Sequence, residues 1–187
     1  MTTHIAPVEL SSERVVLRPY RTDDAGAVFC AAIESFETVG AWMSWCHVDY
    51  TRAESVAWVE TCQAMWQSGD AYEFAAFDRT GRYVGGAGLN QFNRLNNFAN
   101  LGYWIRQSCQ RHGLATEISG MLTNFGFEAL RLTRIEIVVA HENVPSRRVA
   151  EKVGAQLEGV ARNRLVIHGV PMAAAVYSLV PRADIKP

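Results

Sequence analysis

Apolar and polar positions along the chain follow two periods, and these periods mark the predicted elements. Runs of β-branched and aromatic residues bounded by Gly, Pro, Asn or Asp predict strands. Apolar positions that recur every three or four residues behind a capping residue predict helices. The predicted strands are 15–19, 72–78, 83–92, 98–106, 134–140, 156–167 and 172–180, and the predicted helices are 25–33, 51–67, 114–131 and 146–153. No repeat or linker interrupts this order, which predicts a single α/β domain, residues 1–187.

The centre of the pattern is a strand, a glycine-bearing loop, a helix and a second strand, within residues 98–140. A βαβ unit of this kind is expected to be right-handed. A loop that opens a helix leaves several backbone N–H groups without intrahelical partners, and these groups attract anions. Many such loops bind only water, so the turn alone does not identify a ligand.

Two motifs carry a resemblance to a known family. Residues 110–115, Q-R-H-G-L-A, resemble the Q/R-x-x-G-x-G/A pyrophosphate loop of the GNAT superfamily of N-acetyltransferases. Residues 143–146, N-V-P-S, resemble the N-x-x-S segment that follows it in that superfamily. The motifs occur in the expected order, and the resemblance covers about residues 15–180, which would form the core of the domain. It is closest to the RimJ/RimL type, named for N-terminal acetylation of ribosomal proteins.

This resemblance implies a fold and a donor substrate. The fold is the α/β (α+β) GNAT fold: a mixed, mostly antiparallel sheet of about seven strands with about four flanking helices, and splayed central strands at the acetyl-CoA site. Backbone N–H groups of the glycine loop would hold the pyrophosphate of acetyl-CoA, and the strand before it would pair with the pantetheine arm. The implied cofactor-binding residues are Tyr103, Trp104, Ile105, Arg106, Gln110, Arg111, His112, Gly113, Leu114, Ala115, Thr116, Asn143 and Ser146.

Three residues are candidates for proton transfer. Ser146 matches the family group that protonates the departing thiolate, and it also suits the N-cap of its helix. Glu158 and His141 are the candidates for the base by position, with a surface histidine as the alternative for His141. Asn100 stands where similar proteins carry a carboxylate, so a base is absent there. An N-terminal α-amine has a pKa of about 7.7 to 8.0 and needs no strong base.

A cluster of aromatic residues is the candidate acceptor site. The segment from Trp42 to Trp45 resembles a W-x-x-W-like segment that RimJ/RimL proteins place beside the acceptor. Trp42, Trp45 and Tyr72 would wall a closed pocket for a small molecule, or the tryptophans would flank an open groove for a peptide. Simple packing of the core is the alternative for both tryptophans.

The resemblance therefore implies transfer of the acetyl group of acetyl-CoA to a primary amine, by direct attack in a ternary complex. The first hypothesis for the acceptor is a protein N-terminal α-amine. The second is a small amine such as an antibiotic, a polyamine or an amino-acid derivative, because one fold serves many functions. The third is a non-catalytic acyl-CoA-binding module. The expected oligomeric state is a monomer or a homodimer.

Composition limits the remaining partners. A formal net charge of -1 gives no broad basic surface for nucleic acid. The four cysteines are widely spaced and form no C-x-x-C pair, which predicts neither a metal site nor a disulfide framework. No apolar run reaches the roughly 18 residues of a membrane span. We therefore expect a cytoplasmic protein without metal and without membrane contact.

Overall fold

The computed structural model describes residues 5–181. This part of the chain contains eight strands and five α-helices. The ends of the predicted domain, residues 1–4 and 182–187, lie outside it. The elements are β1 Leu10–Ser11, β2 Val15–Pro19, α1 Ala25–Glu34, α2 Phe36–Val39, α3 Arg52–Ser68, β3 Tyr72–Asp78, β4 Tyr83–Asn93, β5 Phe98–Ile105, α4 Leu114–Glu128, β6 Arg134–Ala140, α5 Val144–Lys152, β7 Gln156–Ile167 and β8 Val170–Leu179. All seven predicted strands and all four predicted helices are present.

The strand and the α-helix that the sequence pattern did not predict are the shortest strand and the shortest α-helix. β1 has two residues and α2 has four, and neither is long enough to display a period. The longest helix, α3, has the ends that its sequence predicts. The side chain of Thr51 accepts the N–H of Glu54 in a capping box, and Gly69 ends the helix at a φ of 72°. Within the described residues, no helix is long and apolar enough to cross a membrane.

The strands form one sheet in the order β1-β2-β3-β4-β5-β6-β8-β7. Every neighbouring pair is antiparallel except β5 and β6, which are parallel and joined through α4. A mixed, mostly antiparallel sheet was predicted, and the structure confirms it.

The parallel pair separates halfway along β5. Pairing between β5 and β6 runs from Phe98 to Asn100 and stops there. The rest of β5, as far as Ile105, remains paired with β4 on its other side. Backbone groups of residues 101–105 that face β6 therefore have no strand partner among the described residues. This gap is the predicted splay of the central strands.

Helices cover both faces of the sheet. Successive strand residues point to opposite faces, and Phe74 and Ala75 accordingly enter different apolar clusters. The larger cluster packs α4 against the sheet through residues such as Leu122, and the smaller one packs α1 and α3 through Val28 and Val59. The splay of β5 therefore lies between two layers of helices.

Candidate active site

The loop before α4 is held in place by the end of α1. Glu34 accepts hydrogen bonds from Arg106 Nε at 2.6 Å and from the Ser108 N–H at 2.9 Å. The Arg106 guanidinium is the main reason that the pKa of Glu34 falls to about 2. Because the pKa of Glu34 in the fold lies below its ordinary value, its contacts stabilise the fold fully at any pH above that ordinary pKa. This stabilisation is lost as the pH falls towards 2. The side chain of Gln110 donates to Thr38 Oγ1 and to the Ile105 carbonyl, which fixes the next turn.

The N-terminus of α4 presents unpaired backbone donors. Gly113 is the N-cap with a φ of 79°, and no side chain caps this helix. Its carbonyl accepts the N–H of Glu117, so the preceding N–H groups of residues 114–116 have no intrahelical partner. Arg111 also has a positive φ, 66°, which turns the chain sharply before the helix. The loop has the form of an anion cradle.

A cleft of about 780 Å³ lies against this cradle. Three cationic side chains line it, those of Arg111, Arg148 and Lys152, and Glu37 is the acidic one. The volume is within the range of pockets for drug-sized ligands, about 300–1,000 Å³. Cradle, cations and volume fit a long ligand that carries phosphate groups.

All of the implied cofactor-binding residues line this cleft except Arg106 and His112. The guanidinium of Arg106 is paired with Glu34, and its N–H donates to the Val84 carbonyl at 2.8 Å. His112 is exposed, and its carbonyl accepts a hydrogen bond from Arg14 at 2.9 Å. Both residues shape the loop from outside the cleft.

Ser146 and Tyr103 meet at the edge of the cleft. The two hydroxyl oxygens are 2.8 Å apart, and the Tyr103 hydroxyl also donates to the Ser146 carbonyl at 3.1 Å. Burial raises the pKa of Tyr103 to about 12, although the bond to Ser146 lowers it. The alternative of Ser146 as a helix N-cap is wrong, because Asn143 is the N-cap of α5 and its side-chain oxygen accepts the Ser146 N–H at 3.2 Å. The Ser146 hydroxyl is therefore not used in capping.

A second cavity, of about 450 Å³, lies on the other side of β5. Tyr103 and Trp104 line both this cavity and the cleft, so the two spaces meet at the splayed part of β5. The Trp45 ring lies 5.2 Å from the Trp104 ring and 5.8 Å from the Tyr50 ring. Trp42 instead lines the cleft. The two tryptophans of the segment therefore serve different spaces.

The charged residues of the second cavity are both acidic. Glu54 and Glu73 line it, and no Lys, Arg or His is among its described lining residues. Glu73 is 7% exposed, and burial raises its pKa above the ordinary value. Glu73 was not among the residues predicted from the sequence, although a carboxylate between the apolar residues of the strand 72–78 was a signal that could have identified it.

Tyr72 lies elsewhere than predicted. Its ring packs in the main core against Trp66 at 4.8 Å and Phe125 at 5.8 Å, and the residue is 2% exposed. It lines neither the cleft nor the second cavity. The alternation of strand side chains explains this position, because Tyr72 and Glu73 point to opposite faces and only Glu73 faces the second cavity.

The two predicted bases also lie outside both spaces. Glu158 is exposed on β7, where Arg134 bonds both of its oxygens at 2.6 and 2.5 Å. Arg134, and then Ser178, lower the pKa of Glu158 to about 2, so it is a poor proton acceptor near neutrality. His141 is exposed after β6, and its carbonyl accepts a hydrogen bond from Arg147. Neither residue lines the second cavity.

The known proteins that resemble this chain agree with the geometry of the cleft. The model of the acetyltransferase (GNAT) domain matches residues 14–156. The "Uncharacterized N-acetyltransferase YoaA" of Bacillus subtilis strain 168 is 30% identical over 172 residues, which are 91% of this chain and 96% of that protein. The structure of a "putative ribosomal-protein-serine acetyltransferase" from Vibrio cholerae has a TM-score of 0.83 and 35% identity, and the match covers 93% of this chain and 98% of that one.

A further solved structure contains a CoA group. Mycobacterium smegmatis RimJ in complex with CoA-disulfide has a TM-score of 0.84 and 25% identity, over 97% of this chain and 88% of that chain. The matched family domain includes β5, the glycine loop and the start of α5. The chain belongs to the GNAT acetyltransferase family and is an acetyl-CoA-dependent N-acetyltransferase.

Proposed function

We propose that this enzyme acetylates the N-terminal α-amine of a protein. The observation that carries the proposal is the meeting of the cleft and the second cavity at Tyr103 and Trp104. A donor in the cleft and an amine in the cavity would approach each other there from opposite sides of β5. Such a juxtaposition replaces a bimolecular encounter with a positioned one.

Groups that line the cleft would bind the donor, acetyl-CoA. N–H groups of residues 114–116 and the cations Arg111, Arg148 and Lys152 would hold the phosphates of acetyl-CoA. The edge of β5 that faces β6 beyond Asn100 would hold the pantetheine arm and donate an N–H to the thioester oxygen. The Tyr103–Ser146 pair would supply a proton to the departing thiolate.

The second cavity has the charge and shape for an amine. The buried carboxyl group of Glu73 and the aromatic rings favour an ammonium group, which aromatic faces also attract. A protein N-terminus brings such a group on a flexible chain end. The similarity to the Vibrio cholerae protein and to RimJ supports a ribosomal or other protein acceptor.

The free state of Cys30, Cys46, Cys62 and Cys109 supports a cytoplasmic location.

A small-molecule amine is the second candidate. The observation in its favour is the aromatic wall of Trp45, Tyr50 and Trp104 around a volume of about 450 Å³. Pockets of this size enclose drug-sized ligands. An antibiotic, a polyamine or an amino-acid derivative with a primary amine would fit these requirements.

The rate of CoA thiol release distinguishes the two acceptors. We expect faster release with a pool of peptides that have free N-termini than with a pool of polyamines, aminoglycosides and amino-acid amides. The same peptides with blocked N-termini are the matched control, and they should give only the rate of hydrolysis. Release with the small amines alone would overturn the protein acceptor and leave the donor site unchanged.

A further inference from the structure

Glu73 lies on the face of the sheet that forms the floor of the second cavity. In the register of the sheet, Glu73 of β3 is opposite Gly88 of β4, and Gly88 is opposite Gly102 of β5. Side chains opposite each other in register point to the same face. Neighbouring strands are about 4.8 Å apart, so a glutamate side chain that crosses β4 comes close to β5.

The glycines make room for this crossing. A Cβ on Gly88 would overlap the carboxyl group of Glu73, so the carboxyl occupies the space above that glycine. A Cβ on Gly86 would lie 2.9 Å from the indole nitrogen of Trp104. On β5, Gly102 is followed by Tyr103 and Trp104, where the cleft and the cavity meet. The carboxyl group is therefore directed across β4 towards the place proposed for acetyl transfer.

A chain of amides holds the carboxyl group in this position. Asn90 Nδ2 donates to Glu73 Oε1 at 2.8 Å, and Asn100 Nδ2 donates to Asn90 Oδ1 at 3.0 Å. The second carboxyl oxygen of Glu73 has no hydrogen-bond partner among the described residues. Glu73 itself lines the cavity. Asn100 stands where similar proteins carry a carboxylate, and the carboxylate at the end of this chain of amides is that of Glu73 on β3.

We propose that Glu73 binds the ammonium group of the acceptor and takes one of its protons before acetyl transfer. This proposal rests on the proposed function. The neutral nitrogen then forms the C–N bond, the C–S bond breaks with its electron pair on sulfur, and the second proton of the nitrogen balances the proton that sulfur receives. The proton on Glu73 returns to solvent. The products are the acetylated amine and CoA thiol.

Few titratable groups face Glu73. Tyr20, which precedes α1, and Cys62 of α3 interact with it, and burial raises the pKa of both above their ordinary values. Glu54 of α3 lines the same cavity, and its hydrogen bonds to Thr51 lower its pKa. Of these neighbours, Tyr20 and Cys62 are neutral near pH 7. Glu73 therefore remains the buried carboxyl available to an incoming ammonium.

The experiment compares kcat of the wild type and Glu73→Gln from pH 6.5 to 9.5. With an α-amine acceptor of pKa about 7.7 to 8.0, roughly a tenth of the amine is neutral at pH 7. We therefore expect kcat of the variant to be about tenfold lower at pH 7 and within about twofold of the wild type at pH 9.5. The affinity for acetyl-CoA should be unchanged, because Glu73 does not line the cleft.

Glu158→Gln is the matched control, since it makes the same change at an exposed carboxylate outside the cavity. It should leave kcat unchanged at every pH. A deficit of Glu73→Gln that is absent, or that is constant from pH 6.5 to 9.5, would overturn the proposal. If small amines prove to be the acceptors, the same comparison is made with them. The proposal of a protein acceptor and the proposal for Glu73 can therefore be overturned independently.

Thermal unfolding of Glu73→Gln separates the proposed role from a structural one. A raised carboxyl pKa means that the folded state prefers protonated Glu73, so its stability is complete at low pH and decreases as pH rises through the folded-state pKa. Glutamine stays neutral, so the melting temperature of the variant should equal or exceed that of the wild type at pH 8. The two proteins should differ least at pH 4. A lower melting temperature at pH 8 would assign the loss of activity to misfolding.

Discussion

Replacing Gly113 with valine is expected to lower the affinity for acetyl-CoA at least 100-fold. Gly113 has a φ of 79°, a region that a β-branched residue enters only at a considerable energetic cost. The backbone would move out of this region and redirect the N–H groups at the start of α4. A hydrogen bond to a charged group contributes about 1.5–3 kcal/mol, and each 1.4 kcal/mol is tenfold in affinity, so losing two such bonds has this effect. Isothermal titration calorimetry measures it.

Gly81→Val is the control for this prediction. Gly81 lies in the turn between β3 and β4 with a φ of 83°, and an added Cβ would meet no heavy atom within 4 Å. The two substitutions therefore impose a similar backbone strain, but Gly81 lines neither the cleft nor the second cavity. Gly81→Val should bind acetyl-CoA like the wild type. If Gly113→Val also did so, the cradle at α4 would not be the phosphate site.

The sequence predicted the elements well because their signals are local. The capping box at Thr51, the terminal Gly69 and the β-branched run of β6 each reflect interactions within a few residues. The start of α5 was predicted late, at Ser146, because asparagine and serine are both good N-caps. The structure shows Asn143 as the cap.

The site depended on contacts that a single sequence does not display. Trp42 and Trp45 are three residues apart in a segment of turns, which has no fixed period, so their separate spaces could not be derived. The Tyr103–Ser146 contact joins residues 43 positions apart. Glu158 was chosen by position, and only the structure reveals its pairing with Arg134. For Glu73 the signal was present, because a strand buried on both faces rarely contains an unpaired charge.

The contact between Tyr103 and Ser146 leads to the second large prediction. Tyr103→Phe should lower kcat on the order of 100-fold, the scale of general acid catalysis, with little change in the affinity for acetyl-CoA. With a pKa of about 12, the Tyr103 hydroxyl keeps its proton throughout the neutral range. It can therefore donate to a thiolate at every pH at which the enzyme is assayed.

Ser146→Ala should slow turnover less, by about tenfold, because it removes the partner and leaves the phenol in place. The double variant should resemble Tyr103→Phe alone, since residues that act as one unit are not additive. Tyr177→Phe is the matched control. The hydroxyl of this buried tyrosine accepts a hydrogen bond from Arg147 and donates one to Glu151, and the residue lines neither the cleft nor the second cavity. Steady-state kinetics at saturating acetyl-CoA measures all four variants. Independent, multiplicative losses in the double variant would mean that the two hydroxyl groups act separately, and wild-type turnover of Ser146→Ala would leave proton donation to Tyr103 alone.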